Sequence, residues 1–125
     1  MRRIVCLLLL GMILAIGKLY AVEWQWSVSV DKMISPETGK HPQAFLWIPP
    51  ACERVRAVMF GQHNMSEETL FKKACFRDSL AALDIALVWI TPGLDQRWDV
   101  TTGVQEAFDK MLADLAEVSG YTELV

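Results

Sequence analysis

Polar and apolar residues alternate from Trp24 to Val30, with Trp24, Trp26, Val28 and Val30 on one face and Gln25, Ser27 and Ser29 on the other. That period of two predicts a half-buried strand at or near a sheet edge. The stretch Ser35-Pro36-Glu37-Thr38-Gly39-Lys40 carries turn chemistry, proline fixing φ and glycine free to take positive φ. A second strand is predicted from Gln43 to Ile48, stopped by Pro49 and Pro50, which have no N–H to give a ladder. The two strands suit an antiparallel pair.

A third strand, Val55 to Phe60, leads into Gly61-Gln62-His63-Asn64. Ser66 follows as a helix N-cap, with Glu67 and Glu68 in the first turn, where the helix dipole favours acids. Leu70, Phe71, Ala74, Cys75, Leu80, Ala81 and Leu83 keep one side of that helix apolar. The unbroken apolar run Ile85 to Ile90 reads as a strand buried on both faces, the habit of a parallel sheet. After the loop Thr91 to Asp99, a second helix is expected to open at Thr102, with Gln105 three residues on as in a capping box. Its stripe is Val104, Phe108, Met111, Leu112, Leu115 and Val118, and Gly120 stands at its C-terminal cap. Leu124 and Val125 look like the start of a further strand. The order predicts an α/β fold with a mixed, mainly parallel sheet flanked by helices.

The N-terminus changes the picture of where the chain works. Arg2 and Arg3 precede an uncharged run of 14 residues, Ile4 to Gly17, then Lys18-Leu19-Tyr20-Ala21. This is the layout of a signal peptide, residues 1–21, cleaved after Ala21. The run is short of the roughly 20 residues that span a bilayer, so no stable membrane anchor is expected after cleavage. An exported protein, periplasmic or extracellular, of about 104 residues and a single core would remain, residues 22–125. Cleavage takes Arg2, Arg3 and Lys18 but no acid, leaving 9 basic and 15 acidic residues and a net charge of −6. No basic face is available for phosphates, so nucleic acid is excluded as a partner. Cys52 and Cys75 survive processing and an oxidising compartment permits a bridge between them; the alternative is a buried Cys75 on the helix and a Cys52 in a loop.

Two loops lie at carboxyl ends of strands, where reactive sites of open α/β sheets gather. In the first, Gly61 permits a sharp turn and the amides of Gln62, His63 and Asn64 could face an anion or a developing oxyanion; the alternative is a plain strand-to-helix turn. In the second, Asp95, Arg97 and Trp98 are candidates for holding a sugar or acyl group, Trp98 by stacking; the alternative is an ion pair that stiffens the loop. His41 and His63 lack the spacing of a metal pair, so no metal is expected, and no cofactor is called for. No serine sits in a strand-to-helix elbow.

The element order and the turn Phe60-Gly61-Gln62-His63-Asn64 resemble the N-terminal half of an exported bacterial α/β-hydrolase of the esterase type. The resemblance runs from about Trp24 to Val125 and rests on topology plus one short loop. It implies that Gln62 to Asn64 furnish an oxyanion-hole amide, and that the G-x-S-x-G nucleophile, the acid and the histidine belong to elements this sequence does not contain. The chain would then be a truncated, inactive piece of a serine esterase acting on carbohydrate esters. Two other classes stand beside it: a secreted glycan-binding module, and a scaffold whose open sheet edge pairs with another chain.

Overall fold

The computed structural model describes residues 24–62, 65–93, 103–122 and 124. The signal-peptide expectation for residues 1–21 lies outside them. Strands β1 (Trp26–Ser29), β2 (Gln43–Trp47), β3 (Ala57–Gln62) and β4 (Ile85–Thr91) form one sheet in the order β1-β2-β4-β3. Helices α1 (Met65–Phe71) and α2 (Ala74–Ala81) follow β3, and α3 (Val104–Ser119) follows β4.

The sheet corrects the expected fold class. β1 pairs antiparallel with β2, β2 antiparallel with β4, and β3 alone pairs parallel with its neighbour β4. Two of the three ladders are therefore antiparallel, and the sheet is not the mainly parallel, α/β-hydrolase-like sheet that the sequence suggested. The cause is β2, which runs against β1 and β4 from a place between them. The apolar run of β4 reports burial, not direction: Ala86 to Ile90 are buried because layers cover both faces.

Alternation along the strands separates two cores. Val28, Ala44, Leu46, Val58, Phe60, Ala86, Val88 and Ile90 face α3 and pack with Met111 and Leu115. Phe45, Trp47, Ile85, Leu87 and Trp89 face the other way, onto Phe71, Phe76 and Leu80 of α1 and α2. The helical stretch between β3 and β4, read as one helix from sequence, is two, with Lys72 and Lys73 between them. The second expected helix begins at Val104 after Gly103 (φ 84°), without a side-chain cap; Thr102 lies outside the described residues. Ser66 falls inside the first turn of α1 and not ahead of it. Leu124 is buried against the α3-side core but is not in a strand, and Val125 lies outside the described residues. Among the described residues no helix is long and apolar enough to cross a membrane.

Candidate functional site

The register of the parallel ladder sets Gln62 beside Ile90. The chain therefore leaves β3 after Gln62 and β4 after Thr91 at the same end of the sheet, on adjacent strands. β3 has no described strand on its other side, so Gln62 ends a strand at the edge of the described sheet. His63, Asn64, Asp95, Arg97 and Trp98 lie outside the described residues, so of the expected site only Gln62 has a described geometry.

Gln62 is half-buried, and its backbone N–H donates to Glu67 Oε2 at 3.2 Å. The amide thus points at an anionic oxygen, but one from the first turn of α1 that ties the strand end to the helix start. Gly61, expected to turn the chain, lies within β3 and is buried. A Cβ at Gly61 would sit 2.7 Å from Phe71 Cε2 and 3.2 Å from Trp89 Cε3. The glycine is there because an aromatic ring presses on the strand, and its absent side chain lets α1 close down beside the edge.

At the opposite end, where β3 and β4 begin, a cavity of about 700 Å³ opens against Ala51, Glu53, Arg54, Val55, Arg56 and Asp84. Ala51 (φ 61°) and Asp84 (φ 55°) hold left-handed backbone there, unusual for residues with a Cβ. Beside it Cys52 is buried, and burial, reinforced by the Asp84 carboxylate, pushes its thiol pKa up and keeps it protonated. Tyr121 Oη donates to the Cys52 carbonyl at 2.8 Å, fastening the end of α3 to this loop. Both thiols are free, with Cys52 buried and Cys75 exposed, the reverse of the burial that the helix pattern implied.

No family, curated protein or solved structure matches the chain.

A buried arginine had no signal in the sequence. Arg77, on α2, is 2% exposed and lies between two tryptophans, its Cζ 4.7 Å from the Trp24 ring centroid and 4.9 Å from that of Trp47. Its Nε donates to the Phe71 carbonyl at 2.6 Å, at the C-terminal end of α1. Burial draws its pKa down to about 10, which leaves it a cation at neutral pH. Trp24 therefore packs on the α1/α2 side while Trp26 packs on the α3 side. The shared face read from the alternation does not extend to Trp24, which precedes the first strand.

Proposed function

We propose that this domain supplies one part of an exported, ester-hydrolysing site, completed by a strand that pairs along β3, with carbohydrate esters as the substrate class. The mixed sheet withdraws fold-level support from this reading, and what supports it is local. The chain leaves β3 after Gln62 at an edge that no described strand pairs, so a nucleophile carried at the end of a strand added there would stand next to the Gln62 end of β3. The chemistry would be acyl transfer to a serine, the carbonyl oxygen taking its developing charge among backbone N–H groups. In that geometry the substrate oxygen competes with the Glu67 carboxylate for the Gln62 N–H.

A second reading is favoured by that same hydrogen bond: with Glu67 already on the Gln62 amide, the loop serves as a helix entry, and the domain binds a glycan or a partner strand without catalysis. The two are separated by recovering the protein from its native source with an antibody against α3, then treating it with a fluorophosphonate probe and with acetylated xylan. The hydrolytic reading expects covalent labelling of the species that contains this chain, and acetate release. An unlabelled species that retains xylan without releasing acetate would leave the binding module.

A further inference from the structure

Among the described residues, three buried donor atoms on the α1/α2 side of the sheet have no acceptor: Arg77 Nη1, Arg77 Nη2 and Trp47 Nε1. Buried polar groups are ordinarily paired, and an unpaired buried cation is costlier than a neutral donor. Every one of these groups is a donor, and none can accept from another. The Arg77 Nε is committed to the Phe71 carbonyl. What remains is the end-on edge of the guanidinium, where Nη1 and Nη2 present parallel N–H bonds with the spacing of two carboxylate oxygens. Two indoles pack against the guanidinium, its Cζ 4.7 Å from the Trp24 ring centroid and 4.9 Å from that of Trp47.

We propose that this cluster of donors binds the carboxylate of a small acid, held end-on by Arg77 Nη1 and Nη2 with Trp47 Nε1 as a further donor. The site is independent of the hydrolytic reading, since it lies under α2 and not at the carboxyl ends of the strands. Trp24 is its cover. The Trp24 side chain is half-buried, whereas the backbone next to it is anchored to β2 by the Gln25 N–H on the Leu46 carbonyl and by the Gln25 side chain on both backbone groups of Ile48. Access is then a rotation of one indole and not a movement of the strand. Enclosure by two indoles selects a short acid, formate or acetate, over a bulky one.

The test is thermal melting of the full chain in formate, acetate or citrate at constant ionic strength, alongside Arg77→Met and Trp47→Phe. Acetate or formate at about ten times its Kd should raise the wild-type Tm by roughly 5 °C. Citrate should give no such rise, Trp47→Phe should keep part of it, and Arg77→Met should lose it. Equal acetate responses in wild type and Arg77→Met would overturn the proposal. If Arg77→Met does not fold, crystals of the unsubstituted protein soaked in acetate decide: a carboxylate against Nη1 and Nη2 upholds the site, and a water or nothing there refutes it.

Discussion

The two faces of the sheet are packed by different means. Against α3 the fully buried residues are aliphatic, Leu46, Val88, Ile90, Met111 and Leu115 under one 16-residue helix, and the ring pairs Trp26–Tyr121 and Phe60–Phe108 stand only at its partly buried margin. Against α1 and α2 it is aromatic: Phe71 stacks on Phe76 at 5.9 Å and meets Trp89 edge-on at 5.8 Å, while Trp24 and Trp47 enclose a guanidinium. Short helices of seven and eight residues contribute little stability of their own, so the second face depends on large rings and a cation for what the first obtains from a long amphipathic stripe. A face of aliphatic residues is sensitive to lost volume. A face of interlocked rings is sensitive to added volume.

Substitution on each side sharpens that contrast. Leu115→Ala opens a cavity beneath α3 at a position with no exposure, and about 3 kcal/mol of stability should be lost in urea unfolding. A loss below about 1 kcal/mol would mean that the aliphatic face repacks freely. Gly61→Ala tests the other side by insertion. Its methyl meets Phe71, whose ring is held by Phe76 and Trp89, and the cost should be about 2 kcal/mol in the same assay. Were Gly61→Ala neutral, the ring cluster would be looser than its contacts indicate.

The smallest effect belongs to the outer surface of α3, where Lys32 Nζ bonds Glu106 Oε1 at 2.7 Å. The Lys32 ammonium holds the Glu106 carboxyl below its ordinary pKa, by hydrogen bond first and by charge second. A carboxyl lowered in the folded state stabilises the fold above its unfolded pKa, and that contribution disappears as pH falls through the folded value. Both groups are exposed, so the Tm difference between wild type and Glu106→Gln should be slight at neutral pH, shrink on acidification and fade with added salt. A difference that grew on acidification would contradict the assignment.

Much of the element order was legible because β1 and β2 alternate, β4 is continuously apolar and α3 repeats at helical spacing. Strand direction was not, because a strand covered on both faces has the same composition whichever way its neighbours run. Leu87 pairs with Met59 on one side and Trp47 on the other, and nothing in its own side chain distinguishes the parallel partner from the antiparallel one. The cysteines were inverted for a related reason. Cys75 fits an apolar stripe only if one helix continues through Lys72 and Lys73, and the break rotates it outward. At the candidate site, Gly61 was legible as special but not for its actual use, since a glycine under a ring and a glycine at a turn look alike in sequence. Arg77 offered no signal, because its burial depends on two tryptophans separated from it by dozens of residues.

The position of β4 between β2 and β3 has a consequence for the order of assembly. β2 and β3 are adjacent in the chain and could meet first as a local hairpin, yet in the finished sheet they are not paired. The strand that belongs between them is made last, and it joins β2 across more than 35 residues of intervening sequence, Leu46 to Val88 and Gln43 to Thr91. Such non-local pairing slows folding relative to a chain of local hairpins. On a ribosome releasing the chain from its N-terminus, the sheet cannot close until Thr91 has emerged, and until then β2 and β3 each have an unfilled side that favours the wrong neighbour.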